Sequence, residues 1–225
     1  MTFPHARKGA SKLFAAEIVQ IIAFILLAVG GISLVFAIDL ANSSDYNFGS
    51  VASMGLIAFI MFWVGVIMLA VVSILKLVGL WQAGKDEHHW LKTAFWLTVV
   101  QVVFIGGGTW LLYFNGGEFL GICFDDGDNY KFLVSAAELI SLLAFAFTIL
   151  GMSDLAKKVY RPGIASLGTV TLFMMVVELA AIAAAVWMAD STSVLLAIVA
   201  LVCAIVVFIL YLVFLAKAKN AFASS

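Results

Sequence analysis

Glu178 is the residue on which chemistry in this chain would turn. It stands near the middle of Ser166–Met188, SLGTVTLFMMVVELAAIAAAVWM, a stretch long and apolar enough to cross a bilayer as a helix. Hydrocarbon offers no water to a backbone group or a carboxylate. A carboxylate at that depth must be neutralised, paired or set against a water-filled space. Placing the charged form there costs on the order of 2.5–3.5 kcal/mol on insertion scales. On a helix, Glu178 shares its stripe with Thr171, Met174, Ala181 and Ala185. Small residues on that stripe permit close helix approach, which predicts that Glu178 faces other helices rather than lipid. Two readings follow. Glu178 is a proton or cation site, or it is a structural glutamate hydrogen-bonded across helices to Gln101 or Gln20.

Glu138 is the second intramembrane carboxylate, in the outer third of its span and flanked by Ser135 and Ser141. The alternative for Glu138 is a partly hydrated side chain near the interface. At a helix rise of about 1.5 Å per residue, Glu138 and Glu178 differ in depth by roughly 5 Å. If their helices are neighbours, the two carboxylates share one cavity and titrate together. Gln20 shares a helix face with Gly31, and Gln101 shares one with Thr98 and Gly108. Amides beside glycines either join the polar site or act as glue between helices. Glu17 is expected at the membrane interface, near Lys12.

The elements that must position these residues are apolar spans. The apolar fraction is 65% and the charged fraction 11%, against typical values of about 45–50% and about 25% for soluble domains. The reading is an all-α integral membrane protein with six transmembrane helices. The spans are about Leu13–Ile38, Val51–Leu80, Leu91–Phe114, Phe132–Met152, Ser166–Met188 and Val194–Ala216. Residues 1–12 form a basic lead, 13–216 the membrane domain and 217–225 a basic, then polar tail. The lead and first apolar run look like a signal peptide. That run is too long for one and lacks a clear cleavage site, so it reads as a retained helix.

Charge sets the orientation. Arg7, Lys8, Lys12, Lys85, Lys92, Lys157, Lys158, Arg161, Lys217 and Lys219 fall on one side, where Lys76 can also snorkel. Lys131 alone falls on the other, among Asp39, Asp45, Glu118, Asp125, Asp126, Asp128 and Asp190. The positive-inside rule then puts both termini in the cytoplasm, and the expected location is the plasma membrane. Val19-Gln20, Val99-Val100-Gln101 and Val176-Val177-Glu178 recur at similar depths in odd-numbered spans. Three tandem helical hairpins would give that pattern, and so would chance in an alphabet of apolar residues.

Other motifs carry less. His88 and His89 follow Asp86 and Glu87 in a charged connection, and adjacent histidines do not face one metal on a helix. The run Asp125-Asp126-Gly127-Asp128-Asn129 misses the EF-hand spacing, because Lys131 stands where glycine is required. Asn42-Ser43-Ser44 is a glycosylation sequon that matters only in a eukaryotic secretory host. Cys123 and Cys203 are expected at different depths, so no disulfide is implied. Gly106-Gly107-Gly108 is a point where the third helix packs closely or unwinds. The Pro-x-[Asp/Glu] signature of three-hairpin mitochondrial carriers is absent, as are Asn-Pro-Ala loops. Gly-x-Ser-x-Gly, His-Glu-x-x-His, a phosphate loop and Cys-x-x-Cys are absent too, so no enzyme, metal or cofactor is expected. A net charge of −1 gives no reason to expect nucleic acid.

The expected function is a small transporter or channel for cations or small solutes. Glu178, Glu138, Gln101 and Gln20 would be its binding or proton-coupling groups. The alternative is a non-enzymatic structural or regulatory subunit of a larger membrane complex. The partners expected are the lipid bilayer, a small solute or cation, and further copies of the chain or other membrane subunits.

Overall fold

A computed structural model describes residues 3–42, 48–114, 126–187 and 192–222. Among these the chain forms six helices and no strands. They are α1 (Pro4–Asn42), α2 (Phe48–Ala83), α3 (Trp90–Phe114), α4 (Asp126–Lys158), α5 (Pro162–Trp187) and α6 (Thr192–Ala221). Five of them contain stretches long and apolar enough to span a membrane: Pro4–Ala41, Val51–Ala83, Leu139–Lys158, Pro162–Ile182 and Ile198–Ala221. The remaining helix, α3, has 25 residues, long enough for the roughly 20 that a crossing requires. The chain is therefore an all-α, multi-pass membrane protein.

The helices outrun the apolar spans. Helix α1 has 39 residues and α2 has 36. At about 1.5 Å per residue each exceeds 50 Å, against roughly 30 Å of hydrocarbon. The basic lead is itself helical, starting with Pro4 at the first helical position. Proline suits that position, because its φ is preset and its missing N–H would have had no partner there. Helix α4 begins at Asp126, inside the acidic run rather than after it. Helix α3 continues through Gly106–Gly108 to Phe114, so the triple glycine does not unwind it. The sequon serines Ser43 and Ser44, the cysteine Cys123 and the turn 188–191 lie outside the described residues.

The chain divides into two compact units. One is Lys12–Lys76, the hairpin of α1 and α2. Here close approach falls at glycines. A Cβ on Gly30 would lie 3.2 Å from Cβ of Met61, and one on Gly65 would lie 2.7 Å from Cγ of Leu27. Outside those contacts the hairpin presents large apolar side chains such as Phe24, Ile32, Leu56 and Ile67, as lipid-facing helices must.

The other unit is Met1–Ser11 with Leu77–Ser225. Helix α4 packs on both α3 and α5, and α5 packs on α6. The fully buried large side chains of this unit include Leu91, Ile149, Met152, Leu155, Phe214 and Leu215. They come from the start of α3, the end of α4 and the end of α6, so these helix ends share one core. Gly151 of α4 admits Leu91 of α3, and Gly168 of α5 admits Ser153 and Ile149 of α4 and Phe214 of α6. Trp90 stacks on Phe147 at 5.4 Å, and Phe145 meets Tyr211 at 4.3 Å, which closes the same end. Gly9 of α1 sits against Gly79 and Ala83 of α2. The start of α1, the end of α6 and the α2–α3 and α4–α5 connections carry the basic residues Arg7, Lys8, Lys85, Lys157, Lys158, Arg161, Lys217 and Lys219.

Candidate functional site

Glu178 lies on the buried side of α5. The buried residues of that helix are Ile164, Ala165, Gly168, Thr171 and Met175, spaced by three and four, and Glu178 continues the series. Val170, Phe173 and Val176 occupy the opposite, exposed side. Glu178 is half-buried, as are Met174 and Ala181 of the expected stripe. Thr171, two turns earlier, is fully buried and donates its hydroxyl to the carbonyl of Leu167 at 2.9 Å. Among the described residues Glu178 holds no hydrogen bond or ion pair.

The other expected site residues divide. Glu138 lies in α4, which packs on α5 as a shared cavity would require, and its side chain is outside the described residues. Gln101 is half-buried on α3, and no hydrogen bond joins it to Glu178. Gln20 pairs within the α1–α2 hairpin. Its amide oxygen accepts Lys76 Nζ at 2.7 Å.

That bond belongs to a cluster that sequence reasoning divided among separate roles. Lys76 Nζ is also 2.9 Å from Glu17 Oε1, with side-chain exposures of 29% and 6%. Glu17 therefore pairs with a lysine on the neighbouring helix. The signal was present. Glu17 and Lys76 are opposite charges at the borders of apolar runs, and such groups usually pair with one another. Lys76 is thus bonded to both a carboxylate and an amide.

The charged connection after α2 is also structured. Asp86 accepts the backbone N–H of Ala6, in the first turn of α1, at 2.6 Å. Glu87 is buried, and its two oxygens accept the N–H groups of His89 at 2.9 Å and Leu91 at 2.8 Å. Two consecutive carboxylates thus cap two helix N-termini, where unpaired N–H groups and the positive end of the helix dipole favour negative charge. His88 is exposed, with Nε2 2.7 Å from Lys92 Nζ, and His89 sits edge-on to Trp90. These side chains take part in local contacts at the start of α3.

The α4–α5 connection is set by its backbone. Arg161 N–H donates to the Ala156 carbonyl and Tyr160 N–H to the Lys157 carbonyl, both at 3.0 Å. This is the Schellman ending of a helix, with Tyr160 in the left-handed position at φ 56°. Pro162 then opens α5, and the Ile164 N–H closes its first turn onto Arg161.

Fold and site together define a multi-pass helical membrane protein in which, among the described residues, Glu178 is a half-buried carboxylate without a hydrogen-bond or ion-pair partner. The chain matches no protein family, no curated protein and no solved structure.

Proposed function

We propose that this protein is a small transporter or channel for cations or small solutes, with Glu178 as its binding or proton-coupling group. One observation carries the reading. Glu178 sits on the buried side of α5 with no partner among the described residues, while Glu17, Asp86, Glu87 and Asp154 each hold a cation or a backbone N–H. Structure accounts for those four carboxylates and not for Glu178. Ionisable groups within membrane spans are costly, and they mark ion and proton pathways more often than packing. Glu138, on the neighbouring helix, is the second carboxylate of the proposed site, with Gln101 as an auxiliary polar group. The orientation that goes with this reading has both termini in the cytoplasm and the protein in the plasma membrane.

The test is paired. Glu178→Gln keeps size and hydrogen bonding and removes the charge, whereas Glu178→Ala removes both. In proteoliposomes the expected outcome is loss of cation or proton flux in both variants, with Glu178→Gln as thermally stable as the parent in detergent. Full flux in Glu178→Gln would remove Glu178 from the mechanism. Cysteines introduced at Ser11 and Asn220 should label only after permeabilisation; labelling of either on intact cells would reverse the orientation.

A second reading, a subunit of a larger membrane complex, has its own observation. Phe59, Phe62 and Trp63 form an edge-to-face cluster on α2, and each is at least half exposed. Trp63 is in mid-span, whereas membrane tryptophans favour the interface, where the indole N–H can be hydrated. Association with another membrane chain would cover it. Stoichiometric co-purification of such a chain, lost in Trp63→Ala, is the outcome that would favour this reading.

A further inference from the structure

Two open pockets, of about 320 Å³ and about 380 Å³, adjoin at the junction of the α4–α5 connection with the end of α6. Both are lined by Arg161, Ile164 and Lys217. They form one groove whose size falls within the roughly 300–1,000 Å³ of small-molecule clefts. Its two cations are unspent. Neither the Arg161 guanidinium nor the Lys217 ammonium has an ion pair or side-chain hydrogen bond among the described residues. The nearest carboxylate in sequence, Asp154, is held by Lys158 at 3.3 Å.

Position in the membrane narrows the occupant. Arg161 immediately precedes the Pro162–Ile182 span, and Lys217 lies four residues before the end of the Ile198–Ala221 span. The groove therefore stands where apolar helix meets headgroups. Ile164 and Ala221 are buried and give it an apolar floor. Ile209, Val213 and Lys217 follow one another at four-residue intervals, and all three are exposed. An apolar, lipid-facing row on α6 leads directly to the ammonium. A free anion has no use for that row, but an acyl chain does. Basic pockets between helices on the cytoplasmic side suit acidic lipid headgroups, and Arg offers phosphate a two-pronged contact.

We propose that this groove holds the phosphate of an anionic phospholipid, bound between Arg161 and Lys217, with an acyl chain along Ile209 and Val213. The site is separate from Glu178 and does not depend on its role.

The experiment uses the full chain in neutral detergent, titrated with dioleoyl phosphatidylglycerol, dioleoyl phosphatidylcholine or inorganic phosphate, with thermal stabilisation as the readout. Phosphatidylglycerol should stabilise the protein, and phosphatidylcholine and inorganic phosphate at the same concentrations should not. Arg161→Gln with Lys217→Gln should raise the apparent Kd for phosphatidylglycerol roughly tenfold or more, since each cation near a charged membrane surface is worth roughly fivefold. Lys8→Gln with Lys85→Gln changes net charge equally and should leave that Kd within about twofold. If the double variant is unstable without lipid, Lys217→Gln alone carries the test, with an expected rise of roughly fivefold. An unchanged Kd in the groove variants would overturn the site. Equal stabilisation by phosphatidylcholine would overturn the charge selection, and equal stabilisation by inorganic phosphate would make it a free-anion site.

Discussion

Lys76 and Glu17, on antiparallel helices, form an ion pair at 2.9 Å in which the carboxylate is almost wholly buried and the ammonium is partly exposed. Gln20 accepts a second hydrogen bond from the same ammonium. The pair ties α1 to α2 where the apolar packing of their hairpin gives way to the charged ends. Removing one partner leaves a charge in a poor solvent, whereas removing both leaves none. Glu17→Ala should therefore lower thermal stability in detergent by about 1–3 kcal/mol, discounted from fully buried pairs because Lys76 reaches some water. Glu17→Ala with Lys76→Met should cost less than the sum of the two single changes. Strict additivity in that double-mutant cycle would show that the pair contributes nothing.

Glu87 makes a comparable prediction for α3. Its carboxylate accepts two backbone N–H groups and lies 3.2 Å from where a Cβ on Gly151 would stand. Glu87→Ala should destabilise by about 1–3 kcal/mol, because one buried and one part-buried donor lose their acceptor. Glu87→Gln keeps one oxygen and should recover part of that loss. The measurement is the thermal midpoint of each variant in the same detergent. Equal midpoints for Glu87→Ala and the parent would mean that water caps α3 as well as the carboxylate does.

Two glycines of α1 separate a packing role from a permissive one. A Cβ on Gly9 would lie 2.5 Å from the carbonyl oxygen of Gly79 and 2.6 Å from Cβ of Ala83, and backbone cannot swing aside. Gly9→Ala should therefore cost about 1–3 kcal/mol through overpacking. Gly31 has nothing within 4 Å of its would-be Cβ. Gly31→Ala should be neutral or stabilising by up to about 1 kcal/mol, the ordinary helix preference for alanine. Reversed signs at the two positions would mean that the helices meet along a different face.

What the sequence made legible follows from how strict the bilayer is. Lipid admits spans of about 20 apolar residues and little else, so the helices could be counted from composition and charge. The small residues beside Glu178 were legible too, and in the structure Glu178, Met174 and Ala181 are all half-buried. The contacts at helix ends were not legible. Ala6 and Asp86 are 80 positions apart, and nothing local says that the start of α1 meets the α2–α3 connection. Glu17 and Lys76 were visible as lone charges, but their pairing depends on the register of an antiparallel hairpin, which apolar periodicity does not fix. Gly106–Gly108 read as a weak point because glycine disfavours helix, and the helix persists across it.

Tyr160 gives the most direct test of the α4–α5 connection. It is 92% exposed, and its φ of 56° places it in the left-handed region that suits glycine. A Cβ in that conformation crowds the following carbonyl, at a cost of roughly 1–2 kcal/mol. The cost is borne because two hydrogen bonds, to Ala156 and Lys157, close the end of α4 only if this residue turns left. Tyr160→Gly removes the crowding but adds freedom to the unfolded chain, worth about 0.4–1 kcal/mol in the other direction. The net expectation is a gain of about 0.5–1 kcal/mol in detergent. Tyr160→Ala keeps the Cβ and should give no gain, so the comparison isolates the backbone. If Tyr160→Gly were no more stable than Tyr160→Ala, the left-handed turn would not be strained, and α4 would end for another reason. Since Tyr160 also borders the groove of Arg161 and Lys217, the glycine variant should bind phosphatidylglycerol as the parent does. The turn would then set the position of Arg161 through its backbone, with the aromatic ring contributing nothing to the lipid.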